Sequence, residues 1–140
     1  YHTAGTCGTI GSAVGVAFAL KMDKEQIAGL FMRGQDCGQV VLDHFADGLG
    51  IPKDEANRLA AAFGGGTGIG ETCGAVVCAM MVIGMKYGHN GPDDMDQRNI
   101  LMAKRAEFID RWKERRGSCM CNDLLGGFDR LYCVVTGYAG

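Results

Sequence analysis

The chain has 140 residues, 47% of them apolar and 21% charged, with a formal net charge of −2. Those totals fit one domain with a real hydrophobic core and exclude a disordered chain. The near-neutral charge gives no electrostatic reason to expect nucleic acid or an anionic membrane as partner.

Glycine is abundant at 23 residues, proline is scarce at 2, and there are seven cysteines. An odd number of cysteines without regular spacing does not match a secreted disulfide scaffold. It suits a metal, cluster or thiol site. The cytoplasm is therefore the expected compartment, with an exported mature chain as the alternative, since Tyr1 is not a start methionine.

Apolar residues recur mostly at helical spacing, and no alternating strand or hairpin signal stands out. The expected architecture is all-α, a compact bundle of about five helices around a buried central helix at about residues 72–88, with cysteines clustered at helix N-termini. Residues 1–22 read as an N-terminal extension or first helix, and 23–140 as the main domain. TIGSAVGVAFAL, residues 9–20, is too short to span a bilayer and predicts a buried helix. Asp23 and Gln26 form a capping-box pattern that opens a helix to about Arg33. Asp36 and Gln39 repeat it, with Val40, Val41, Phe45 and Leu49 on one stripe. Pro52 suits a first helical turn, and KDEANRLAAAF continues to Phe63.

Residues 64–71, GGGTGIGE, read as the most flexible stretch. Thr72 then caps CGAVVCAMMVIGMKYG, which is apolar all round and so predicts the central helix. After the turn HNGPDD, Asp94 opens the longest helix, with Leu101, Phe108, Ile109 and Trp112 facing inward and Gly117 as its cap. The tail carries Cys119, Cys121, a short helical turn and Cys133.

The placement of the cysteines is the informative feature. Cys37 follows the cap Asp36 and Cys73 follows the cap Thr72, so both belong in a first helical turn. There, free N–H groups and the helix dipole favour thiolate, the form that attacks disulfides and binds metals. The glycines before Cys73 allow close backbone approach. A nucleotide loop is disfavoured, because no Gly-Lys-Ser/Thr ending occurs and the loop follows a helix.

Cys78 lies well round the helix from Cys73 and reads as a small core hydrophobe. Cys119 and Cys121 make a C-x-C directly after a helix end, a spacing better suited to a metal or cluster than to an internal disulfide. Cys7 carries no assignment. No C-x-x-C or C-x-x-C-H occurs, which removes thioredoxin-type and c-type haem signals. His44 is expected to be a partly buried structural residue, His2 and His89 to be terminal and turn residues, and Glu71 to be a cap. Met80, Met81 and Met85 read as core filler.

Three segments together, DCGQVVL at 36–42, FGGG at 63–66 and ETCGAV at 71–76, resemble the C_GCAxxG_C_C family of redox-active proteins. Lys86-Tyr87-Gly88, Gly117-Ser118 and the CNDLLG run at 121–126 extend the likeness over about residues 24–126. The resemblance implies that Cys37, Cys73 and Cys121 are the first three of the family's four cysteines, with Cys133 as the fourth. The family's glycine after the second cysteine is Cys78 here, and Cys119 is an extra thiol.

Further implications follow from the resemblance. A related helical domain in split-Soret cytochrome holds an iron–sulfur cluster. The expectation is a redox or electron-transfer protein that binds an iron–sulfur cluster of the [2Fe–2S] type through Cys37, Cys73, Cys121 and Cys133, with Cys119 as alternative ligand. The alternative is thiol–disulfide exchange in which Cys37 or Cys73 attacks. Zinc, or no cofactor, is the remaining option for the site. A redox partner protein and a homodimer are the expected associations, without membrane insertion, and an electron carrier or redox subunit fits better than a stand-alone enzyme.

Overall fold

The computed structural model describes residues 34–124. The expectations for residues 9–20, for the Asp23 helix, for the boundary at residue 22 and for His2, Cys7 and Cys133 lie outside them.

Five helices form the described part, with no strands among its residues. They are α1 (Cys37–Leu49), α2 (Lys53–Ala60), α3 (Gly74–Tyr87), α4 (Met95–Arg116) and α5 (Cys121–Leu124). A 3₁₀ turn at Ala61–Phe63 and a wider coil at Gly66–Gly70 link α2 to α3.

The start of α1 follows from its sequence. Asp36 and Gln39 form the capping box, with the Asp36 backbone N–H donating to Gln39 Oε1 at 2.9 Å. Cys37 is the first helical residue. Along α1, Val40, Val41, Leu42 and Ala46 are buried, and Phe45 and Leu49 pack partly against the core.

A polar network ties α1 to α2. Asn57 Nδ2 donates to Asp43 Oδ1 at 2.7 Å, Gln35 Nε2 donates to Asn57 Oδ1 at 2.5 Å, and Gln39 Nε2 donates to the Asn57 carbonyl at 3.1 Å. Pro52 is the cap of α2 and not a residue of its first turn, so the missing N–H falls one position before the expected one.

Helix α3 is central, but it is buried on one side only. Ala75, Val76, Cys78, Ala79 and Val82 are in the core, Met80 and Met81 are half-buried, and Met85 is 57% exposed. Met85 is therefore not core filler: it follows Val82 by three positions near the helix end, where no described element covers it. His44 is likewise exposed, edge-on to Phe45 at 4.9 Å.

Helices α1 and α3 cross through two glycines. A Cβ on Gly38 would lie 2.8 Å from Cys78 Sγ and 3.2 Å from the Gly74 carbonyl oxygen, and one on Gly74 would run into the Phe63 carbonyl and lie 3.1 Å from Cys37 Sγ. A real side chain at either site would force the helices apart.

Helix α4 starts as expected, with Asp94 accepting from the Gln97 N–H at 3.2 Å, and ends at Gly117 (φ 79°). Only its C-terminal half reaches the core. Trp112 is 2% exposed, while Phe108 and Ile109 pack partly against it. Leu101 is half-buried and lies outside the core cluster, and Ile100 and Met102 are exposed. The inward face is thus one turn and a half long, not the whole helix. No helix among the described residues is long and apolar enough to cross a membrane.

The crossing makes a sharp contrast between glycines. Gly74→Ala should cost about 1–3 kcal/mol through overpacking. Gly48→Ala, where the new methyl meets nothing within 4 Å, should gain about 0.5–1 kcal/mol of helix propensity. Urea unfolding of both variants checks the pair, and equal stabilities would contradict the crossing geometry.

Candidate functional site

Three of the singled-out cysteines arrive at one place from three segments. Cys37 begins α1, Cys73 caps α3, and Cys121 begins α5. All three are free thiols and nearly sealed from solvent, at 5%, 1% and 7% exposure respectively.

Cys73 sits one position earlier than the sequence suggests. It is itself the N-cap of α3, with extended backbone angles (φ −57°, ψ 128°), and Thr72 is an exposed residue outside the helix. The cap position aims the sulfur back over the helix start, which is where a serine or threonine cap places its oxygen.

The segment before it explains the shift. The glycine run winds into a coil in which the Glu71 N–H returns to the Gly66 carbonyl at 3.2 Å and Thr67 Oγ1 donates to the same oxygen at 2.7 Å. Gly66 has φ 61° and lies so close to the tail that a Cβ there would sit 2.6 Å from Cys121 Cβ. Only glycine meets both demands. The stretch expected to be the loosest is a wound coil that seats Cys121.

After this coil the chain runs extended for one residue. Thr72 pairs with Met120 in an antiparallel bridge, the Cys73 N–H donates to the Cys119 carbonyl at 2.8 Å, and the Cys121 N–H donates to the Glu71 carbonyl at 2.6 Å. Glu71 thus serves the site through its backbone, while its side chain is exposed. A single rung leaves no alternating pattern, so sequence periodicity could not show it.

The tail is anchored from the other side. Trp112 Nε1 donates to the Ser118 carbonyl at 2.8 Å, Ser118 Oγ donates to Asp123 Oδ2 at 2.7 Å, and the Met120 N–H donates to Ser118 Oγ at 3.0 Å. Ser118, Trp112 and Asp123 are therefore positioning residues for Cys119 and Cys121. The spacing Ser118-x-Met120-x-x-Asp123 around the C-x-C was the available signal for this turn.

Within the cluster, the Cys37 thiol donates a hydrogen bond to Cys73. This bond is the main reason the Cys73 thiol is brought down to about 7, against the opposing effect of burial; the Ala75 and Val76 amides favour the thiolate further. Cys37 moves the other way, well above the usual thiol range. The bond it donates, its burial, and the charges of Cys73, Cys121 and Asp36 all oppose its ionisation. One proton is thus held between two sulfurs, and the pair titrates as a unit.

Cys78 is fully buried and its thiol is pushed up to about 12 by burial and by the charge of Cys73. It packs in the space left by Gly38, as the reading of a small core hydrophobe anticipates. Cys119 is half-buried. Among the described residues, no group of three or more His, Cys, Asp or Glu side chains is arranged to hold a metal ion.

The fold and site define a class: an all-helical domain whose distinctive chemistry is a buried, hydrogen-bonded pair of thiols with a third thiol beside it. The family profile described as "Putative redox-active protein (C_GCAxxG_C_C)" matches residues 35–136, most of the chain, and the chain belongs to that family. No curated protein and no solved structure matches it.

The hydrogen bond fixes the sign of the pH dependence. Folding lowers the Cys73 thiol from 9.0 to about 7, so its contribution to stability is present in full above pH 9 and is lost as pH falls through 7. Thiolate absorbance should therefore rise with a first midpoint near pH 7 in the reduced protein. Cys73→Ser should abolish that step, and Cys37→Ala, which removes the donor, should move it upward. An unchanged midpoint in Cys37→Ala would show that the bond does not set it.

Proposed function

We propose that this protein is a thiol redox protein whose working centre is the Cys37–Cys73 pair, carrying two electrons as dithiol or disulfide. The hydrogen bond between the two thiols is the observation that supports this reading. It brings two sulfurs within mutual reach and draws the Cys73 thiol down to about 7, where thiolate, the form that performs exchange, is a large share of the population.

In the oxidising direction, the Cys73 thiolate attacks a sulfur of an incoming disulfide and one thiolate of that disulfide leaves. Cys37 then attacks Cys73 in the mixed disulfide. Its proton goes to the second leaving sulfur, and the Cys37–Cys73 bond forms. The protein is oxidised by two electrons and the external disulfide is reduced to a thiol and a thiolate, which takes its proton from solvent. A redox partner protein supplies that disulfide, and the protein acts as a carrier.

The approach of Cys121 favours a second reading. Its charge is felt at Cys37, so a third thiol from a third segment lies near the pair, and cluster ligation would draw on several such thiolates. These donors fit an iron–sulfur centre in kind. Cys37, Cys73 and Cys121, with Cys133 or Cys119, would hold a [2Fe–2S] cluster, which would supply one-electron transfer. The same donors would suit zinc. The chain's own part in that reading is to bury the site and aim the α3 amides at sulfur, which tunes the potential.

Anaerobic purification followed by iron and sulfide analysis, a visible spectrum and disulfide mapping separates the two. The dithiol reading expects a colourless, iron-free protein that forms a reversible Cys37–Cys73 disulfide, lost in Cys37→Ser and in Cys73→Ser. Sulfur-to-iron bands with near-equal iron and sulfide, bleached by Cys37→Ser, would replace it with the cluster reading.

A further inference from the structure

Both sulfurs of the pair are nearly sealed, and Cys73, the more acidic, is only 1% exposed. A bulky disulfide substrate has no direct line to it. Cys119 is the one cysteine among the described residues that is not buried.

Its position relative to Cys73 is set by backbone geometry. Thr72 and Met120 pair in antiparallel fashion, and the Cys73 N–H bonds the Cys119 carbonyl at 2.8 Å. Cys73 and Cys119 therefore stand opposite each other across the two segments. The charge of Cys73 is felt at the Cys119 thiol, so the two side chains also lie near each other. Residues opposed across an antiparallel pairing have Cα atoms about 4.5–5.5 Å apart, inside the roughly 4.4–6.8 Å that a disulfide needs.

We propose that Cys119 is the relay thiol of this centre, taking the disulfide from an external thiol–disulfide partner and passing it to Cys73. This inference rests on the dithiol reading above and adds the route by which the buried pair is reached. Cys119 attacks the external disulfide, forms a mixed disulfide and releases the first thiol, which takes the Cys119 proton. Cys73 then attacks the Cys119 sulfur, forming a Cys73–Cys119 bond and releasing the second thiol. Finally Cys37 attacks Cys73, forming the Cys37–Cys73 disulfide and returning Cys119 as a free thiol. In sum, one external disulfide becomes two thiols, and Cys37 and Cys73 together lose two electrons and the one proton they share, the other proton being taken from solvent.

The backbone bond that aligns the two residues survives substitution of the Cys119 side chain, so Cys119→Ser tests the relay in the intact fold. Full-length protein is oxidised with oxidised glutathione, quenched with acid at intervals and mapped by peptide mass. A parallel arm uses hydrogen peroxide, small enough to reach the pair directly. The expected result is early glutathione adduct on Cys119, accumulation of a Cys73–Cys119 disulfide in Cys37→Ser, and a Cys37–Cys73 disulfide as the end product of the wild type. In Cys119→Ser, glutathione-driven oxidation of the pair should slow by at least about tenfold, while peroxide-driven oxidation keeps its wild-type rate. Glutathione oxidation at the wild-type rate in Cys119→Ser, or a Cys119–Cys121 disulfide as the product, would overturn the relay and leave the dithiol reading standing. Failure of the Cys37–Cys73 disulfide to form in either arm would overturn both.

Discussion

Helices α1 and α3 meet where neither has a side chain to separate them, at Gly38 and Gly74. That contact sets the distance between everything attached to the two helix starts. Cys37 precedes one of these glycines and Cys73 precedes the other, so the approach of the backbones is also the approach of the thiols. The core on both sides conforms to it. Cys78 occupies the room left by Gly38, and the carbonyls of Ala60 and Phe63 close over the crossing. Sulfur is well suited to such a site, because it fills a small space without demanding strong hydrogen-bond partners.

A shared proton follows from this placement. Two thiols held together in a poor solvent do not ionise alike; the one that accepts the hydrogen bond and faces the helix amides takes the charge, and the other keeps its proton. The cap geometry of α3 chooses Cys73 for the first role. The asymmetry thus comes first from the hydrogen bond that Cys37 donates, and the α3 amides reinforce it. The third thiol is brought in by other means, through Trp112 and the Ser118 turn, whose hydrogen bonds hold the tail against the glycine coil.

Most of the fold was legible because its signals are local. The Asp36–Gln39 box, the Asp94 cap, the Gly117 stop and the apolar density of α3 each reside within a few residues, and each marks an observed helix limit or core helix. Cys37 and Cys73 were singled out by their position at helix starts and Cys121 by the family resemblance, and the fold brings these three near one another. Other features were not legible. The cap of α3 is Cys73 and not Thr72, because Thr72 is drawn into pairing with Met120, a partner far along the chain. Met85 and the first half of α4 are apolar in part yet uncovered by the described elements, since a side chain's burial depends on neighbours that its own periodicity does not reveal. His44 shares a helix with Cys37, but the helix turns it to solvent.

The single rung between Thr72 and Met120 has a consequence for how the protein is made. Its two sides are separated in the chain by α3, the long α4 and the turn between them, so the ends of a large loop must meet before the rung exists. Contacts of that kind form late, after helices have been built from local bonds. Until then Cys119 has Cys121 as its nearest thiol, two residues away, and lacks the partner it faces in the finished fold. A nascent chain exposed to oxidant at that stage would be offered the wrong pairing first. Correct assembly of the thiol centre thus favours reduced cysteines during synthesis and oxidation only after α4 has delivered the tail to the glycine coil.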